Sequence, residues 1–210
     1  MSIFGNIITA DELENAVEAT LRLWFRTYLN EIELQKGVPD FGLVNPRSVV
    51  RHVELIDFPE EQLPRLMIVS PGMAKPPLME GDGTYRGFWR IGISLINSAR
   101  DRDSTNRNSK WYAGAIRAII LQHRSLGGFA DGVSWEDENY MDGPVEADRT
   151  LALCTNEFIV EVEGIVDRKS GPAVPEPPDP DDLPGSEWPL VENTDLDVEV
   201  RDLDDEIEGG

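Results

Sequence analysis

Residues 81–97 read GDGTYRGFWRIGISLIN and alternate between apolar and polar side chains. The two sets occupy alternate positions: Trp89, Ile91, Ile93 and Leu95 against Arg90, Gly92 and Ser94. A period of two is typical of a β-strand with one buried face. The Gly-Asp-Gly start favours a turn that tolerates positive φ. The predicted strand is longer than most strands, which have roughly 5–6 residues. Its length predicts a sheet that extends beyond its own core. Arg90 and Ser94 are candidate contacts on its polar face.

A second long strand is predicted at residues 148–166, DRTLALCTNEFIVEVEGIV. Phe158, Val160 and Val162 share one face, and the glutamates lie opposite. A phase change near residues 155–156 predicts a bulge or bend. We expect residues 150–166 to form a two-strand framework with residues 81–97, and Cys154 to be a small buried residue rather than a nucleophile.

Two further strands are predicted. Residues 66–70, LMIVS, lack alternation, which suits a central strand covered on both faces. The Pro-rich loop 73–80 would return the chain antiparallel to it. Residues 129–140 predict a short strand, with Val133 and Trp135 on one face.

The first predicted helix covers residues 9–36. Thr9 and Glu12 form a capping-box pattern at its start. An apolar stripe follows at spacings of three and four: Leu13, Val17, Leu21, Trp24 and Tyr28. We expect the aromatic residues at positions 24, 25 and 28 to pack in the core; the alternative is a platform for a ligand or partner.

A second helix is predicted from a cap at Asn108 or Ser109 to about Ser125. It is apolar over most of its circumference, so a neighbouring subunit could cover part of it. The preceding residues 98–109, SARDRDSTNRNS, are predicted to form a polar loop. In an oligomer this loop would be an interface or rim, which makes Arg102 and Arg107 candidate contacts.

The predicted elements define an α+β domain over residues 1–170. Their order is α-β-β-α-β-β, a mostly antiparallel sheet of about four strands backed by two helices. Residues 171–210 form an acidic, Pro-rich C-terminal arm that contains 14 acidic residues and one arginine. Such composition favours an extended chain. We expect the arm to be ordered by contact with neighbours through four apolar residues: Trp188, Leu190, Val198 and Val200.

Composition excludes several functional classes. The formal net charge of −21 disfavours binding to nucleic-acid phosphates. No run of about 18 apolar residues predicts a membrane span, and the N-terminus lacks a signal-peptide pattern. The chain has one cysteine and two histidines, which indicates synthesis in a reducing compartment. We predict no catalytic residues, no cofactor and no metal site, and hence no enzyme activity.

Five segments together resemble the tail terminator proteins of long-tailed bacteriophages, particularly those of actinobacterial phages. The segments are LRLWF, LPRLMIVSPG, GDGTYRGFWRIGIS, KWYAGAIRAII and DRTLALCTNEFIVEVEG. They lie within about residues 10–167, and the acidic arm is outside the resemblance. No single motif is diagnostic, since the likeness consists of an element pattern and short phrases.

The resemblance implies a ring, usually a hexamer, that caps the tail tube. The ring would end tube polymerisation and present a surface to the head-tail connector protein. Its partners would be itself, the tail tube protein and that connector, with DNA passing through an acidic lumen without being bound. Such a protein is assembled in the host cytoplasm and lies at the head-proximal end of the virion tail. The family offers no catalytic residues to transfer.

Three other classes remain as alternatives. A head-tail connector or head completion protein of the neck shares the long strands, the negative charge and the absence of chemistry. A small intracellular enzyme or ligand-binding domain would need a pocket with convergent polar groups. A third alternative, an acidic DNA mimic or inhibitor, follows from charge alone.

Removal of residues 171–210 tests the role assigned to the arm. We expect the truncated chain to associate more weakly with its own copies or partners, with little change in the melting temperature of the domain, because the arm would contact neighbours. Analytical ultracentrifugation and thermal unfolding measure the two effects. An equal loss of both would mean that the arm packs on its own domain.

Overall fold

The computed structural model describes residues 7–37, 42–51, 60–99, 101–146 and 149–167. It contains helices α1 (Ala10–Gln35) and α2 (Arg102–Gln122). Its strands are β1 (Ser48–Val50), β2 (Arg65–Met73), β3 (Leu78–Met79), β4 (Thr84–Ala99), β5 (Gly132–Glu146) and β6 (Arg149–Asp167). Residues 171–210 lie outside the described residues, so the predicted arm and its boundary stay predictions.

The strands form one mixed sheet in the order β1-β2-β4-β6-β5, with β3 paired to β4. Only β1 and β2 run parallel; the other pairs are antiparallel. The α+β class and the two helices are confirmed. The expected strand number of about four was too low, because β1 and β3 have only three and two residues. Pairs this short leave no periodic pattern in a sequence.

The framework predicted from the two long strands is the centre of the sheet. The register of β4 and β6 runs without a break from Gly87 opposite Val162 to Ala99 opposite Thr150. Ile91, Ile93 and Leu95 are fully buried on the side of the helices. At the start of β4, Gly83 has a φ of 92°, which fits the predicted glycine turn.

The predicted bulge near residues 155–156 of β6 was wrong. In this part of the sheet the irregularity lies on β5, where the register to β6 shifts between Trp135 and Asp137. One phase holds in β6 up to Val162, and Cys154, Asn156 and Phe158 face the helices and are buried. The register of β6 to β4 shifts only beyond Val162, where Gly164 has a φ of 66°. The sequence pattern suggested a phase change because Leu151 and Leu153, although apolar, lie on the opposite face of the sheet. There they belong to a second apolar cluster.

The second apolar cluster explains why β2 lacks alternation. Leu66 and Ile68 face the main core beneath the helices. Met67 packs instead with Leu63, Ile96 and Leu151 on the other face. Four consecutive residues at the start of β2 are therefore buried, as predicted for a strand covered on both faces.

Helix α1 begins as predicted and covers the sheet with most of the expected stripe. The Glu12 carboxylate accepts a hydrogen bond from the Thr9 N–H at 2.7 Å. Leu13, Val17 and Leu21 are buried, but the stripe then continues through Phe25 and Leu29. Trp24 and Tyr28 are only partly buried. The core-packing prediction for the three aromatics is thus correct in full only for Phe25.

The N-cap of helix α2 lies seven residues before the first predicted cap. Asp101 is the actual N-cap, and its carboxylate accepts a hydrogen bond from Ser104 N–H at 2.8 Å. The predicted polar loop at residues 98–109 was therefore wrong, since an N-cap aspartate can start a helix from a polar sequence. The apolar surface of α2 packs largely on the sheet and on α1 of the same chain, and the cover of the rest by a neighbouring subunit stays a prediction.

None of the helices within the described residues is long and apolar enough to cross a membrane.

Two adjacent substitutions in β4 test the assignment of its faces. Ile93→Ala should lower the free energy of unfolding by about 2–5 kcal/mol, because it leaves a cavity in the main core. Ser94→Ala removes only a hydroxyl pair with Thr155 and should cost about 1 kcal/mol. Urea unfolding monitored by circular dichroism measures both. Equal costs would contradict the predicted difference between the faces.

Candidate interaction surfaces

The sequence predicts contact residues rather than catalytic ones, and the structure places several of them on exposed surfaces. No three His, Cys, Asp or Glu side chains of the described residues are placed to hold a metal ion. Cys154 is fully buried, and burial raises the pKa of its thiol to about 12. At neutral pH the thiol is therefore protonated and a poor nucleophile. The remaining candidates are surfaces that another protein could contact.

The first candidates, Arg90 and Ser94, lie on the face of β4 that points away from the helices. Arg90 is exposed, and its backbone carbonyl accepts a hydrogen bond from the Ser70 hydroxyl. Ser94 is half-buried, and its hydroxyl is 2.8 Å from that of Thr155 on β6. Arg90 is thus available to a partner, whereas the Ser94 hydroxyl already contacts a neighbouring strand.

Arg102 and Arg107 are brought to the first two turns of α2, on the other side of the sheet from Arg90. Both are exposed. Arg107 donates to the Ser104 hydroxyl at 3.2 Å and lies 5.5 Å from the centre of the Trp111 ring. The four candidates in the domain therefore form two separate surfaces. The four candidates in the arm, Trp188, Leu190, Val198 and Val200, lie outside the described residues.

A surface that the sequence did not single out is the β3–β4 hairpin. Leu78 and Met79 are 52% and 63% exposed at its tip. The arginine Arg86 ties this hairpin to β6, because its guanidinium forms ion pairs with Glu80, Glu161 and Glu163. The hydrogen bond to Glu161 raises the pKa of Arg86, against a smaller loss of solvation. The ion pairs of Arg86 thus hold the apolar hairpin tip, Leu78 and Met79, in place.

The outer strand β5 provides a second surface, at the opposite edge of the sheet. Trp135, Tyr140 and Met141 are exposed along it. Its partner is β6 on one side, and no strand of the described residues pairs with the other side. A strand edge with free backbone groups can accept another strand. The acidic residues Glu136 and Asp137 are exposed here.

A third surface is a groove of about 700 Å³ between α1 and α2. Trp24 stacks on His123 with 4.4 Å between ring centres, and the Tyr28 hydroxyl donates to Gln122 at 2.6 Å. Trp111 lines the same groove, with Lys36 and Lys110 beside it. Trp24 and Tyr28 therefore pack against the main core and also line this groove, and the alternative of an aromatic platform stays a prediction.

Comparisons with known proteins identify no relative by sequence. No family model and no curated protein match the chain. Among solved structures, it is similar to a chain from the virion of a native gene transfer agent (GTA) particle. That match has 16% identity, covers 72% of this chain and 95% of the other, and has a TM-score of 0.44. A likeness at this level carries no functional argument.

The Arg86 ion pairs can be tested by substitution and salt. Arg86→Gln should lower the melting temperature at low ionic strength, since it leaves three neighbouring carboxylates without their cation. The difference from the unmodified protein should shrink at about 1 M salt, where the Debye length is about 3 Å. The control Arg90→Gln changes an exposed arginine of the same strand. A salt-independent difference would show that packing, not charge, holds the hairpin.

Proposed function

We propose that this protein is a virion structural protein that forms a ring, caps the tail tube of a long-tailed bacteriophage and ends its polymerisation. The observation that carries this proposal is the pair of exposed surfaces on opposite edges of one sheet. The apolar hairpin tip, Leu78 and Met79, lies on the β2 side of β4, and the open strand β5 forms the far edge.

Two different surfaces on opposite edges suit repeated head-to-tail contacts between copies. Contacts of this kind close into rings when the rotation between neighbours permits it. Burial of Leu78 and Met79 would supply apolar area at each junction. Arg86 would keep the tip in the geometry that the neighbour needs. The resemblance of the five sequence segments to tail terminators independently favours a ring that meets a tube.

The charge of the protein suits a passage for DNA. A chain with a net charge of −21 repels phosphates, so DNA can move past an acidic wall without being held. The other faces of the ring would contact the tail tube protein and the head-tail connector protein. In this proposal the protein works by shape and contact, with no catalytic step and no cofactor.

Substitution at the hairpin tip tests whether it forms the junction. Leu78→Ser/Met79→Ser should shift the protein from rings to smaller species in native mass spectrometry, with little change in melting temperature, because both side chains are exposed. The control Leu23→Ser/Leu34→Ser alters two exposed leucines of α1 and should leave rings intact. A monomeric unmodified protein, or rings unaffected by the hairpin substitution, would contradict the proposed junction.

Deletion of the gene from a phage genome tests the biological role. Loss of a terminator should give tails of uncontrolled length, seen by negative-stain electron microscopy. Tails of normal length beside unattached heads would instead identify a connector or head completion protein. Complementation with the unmodified gene should restore normal tails.

A further inference from the structure

The groove between α1 and α2 has an unusual charge for this chain. Its lining carries three cationic side chains, Lys36, Lys110 and Arg117, and one carboxylate, Glu31, although acidic residues outnumber basic ones by 40 to 19 in the sequence. Arg117 is already paired with Glu138 at 2.6 Å, and Glu31 accepts a hydrogen bond from Gln35. Lys36 and Lys110 form no ion pair with the described residues.

The groove also offers apolar surface to an extended partner. Trp24, Tyr28 and Trp111 are partly buried along it, and Ile32, also partly buried, lines it as well. Aromatic rings of this kind bind tryptophan, proline and aliphatic side chains. An occupant that matches both properties carries negative charge, and an apolar or aromatic residue occurs every few positions along it.

We infer that the groove of one copy binds the acidic C-terminal segment, residues 181–210, of a second copy. This segment lies outside the described residues. Its sequence, DDLPGSEWPLVENTDLDVEVRDLDDEIEGG, has the required composition: acidic residues with Trp188, Leu190, Leu196 and Val198 among them. Opposite charges would select the segment and steer its approach, and Trp188 with Leu190 would contact the aromatic lining.

The length of chain beyond the sheet permits this contact between copies. The sheet ends at Asp167, and the residues from there to position 181 can span up to about 45 Å at roughly 3.3 Å per residue. That reach exceeds the roughly 30 Å diameter of a small domain. The inference deepens the proposed function, since it names a second link between subunits of the assembly that is independent of the hairpin tip.

Zero-length chemical coupling tests the contact in the full-length protein. A carbodiimide joins a lysine amine to a carboxylate only when the two groups touch. Unlabelled and ¹⁵N-labelled copies would be mixed, assembled and coupled, and the linked peptides analysed by mass spectrometry. We expect Lys36 and Lys110 to couple to carboxylates of residues 181–210 in peptides of mixed isotope composition. Lys75, an exposed lysine after the bulged end of β2, is the internal control and should couple several-fold less.

A matched pair of variants measures what the contact contributes. Lys36→Gln/Lys110→Gln should remove the mixed links and weaken association between copies roughly tenfold at low salt, as expected for two partly exposed ion pairs. Lys75→Gln should change neither. Links confined to single copies, or coupling at Lys36 and Lys110 no stronger than at Lys75, would overturn the inference. If rings form but no mixed links are found, the groove contact is wrong and the proposed function stands. If mixed links are found but no rings form, the groove contact stands and the proposed function is wrong.

Discussion

The antiparallel pairing of β4 with β6 is the constraint on which the other contacts of the domain depend. Its unbroken register places Ile91, Ile93, Phe158 and Val160 on one face. Both helices find their apolar partners there. A slip of one residue would turn each strand's apolar set to the opposite face, so the whole two-layer arrangement requires this register.

This constraint could be predicted because apolar side chains recur at every second position from Trp89 to Leu95 in β4 and from Phe158 to Val162 in β6. The shorter elements could not. β1 is only the three residues SVV, and it is a strand because β2 lies beside it. The start of α2 depends on the hydrogen bonds that Asp101 makes to Ser104. In β6, alternation alone could not distinguish a bulge from a second apolar cluster on the other face.

The candidate surfaces were harder to predict than the fold, because exposure depends on what lies opposite a side chain. Ser94 was predicted as a partner contact from alternation alone, which could not show that its hydroxyl lies beside that of Thr155 on the next strand. Trp24, Phe25 and Tyr28 lie within five consecutive residues of α1, but only Phe25 is buried in the core. Leu78 and Met79 lie in a segment that the sequence predicts as a Pro-rich loop. Nothing in that sequence predicts that the two residues form a strand of a hairpin and are exposed.

Among the described residues, some cationic side chains are ion-paired within the domain, and others are not. This difference distinguishes surfaces whose charge is used within the domain from surfaces whose charge a partner could recognise. In a strongly acidic chain, a cation within reach of the domain's own carboxylates is expected to be ion-paired, as Arg51 is with Glu18, Arg86 with Glu161 and Arg117 with Glu138. Each surface ion pair of this kind contributes little to the stability of the fold. It nevertheless neutralises a charge that a partner could otherwise recognise. A lysine left without such a pair beside aromatic rings keeps its attraction for an acidic chain. In the proposed assembly, the sheet edges would therefore offer backbone groups and apolar area to a partner, and the helical groove would offer charge.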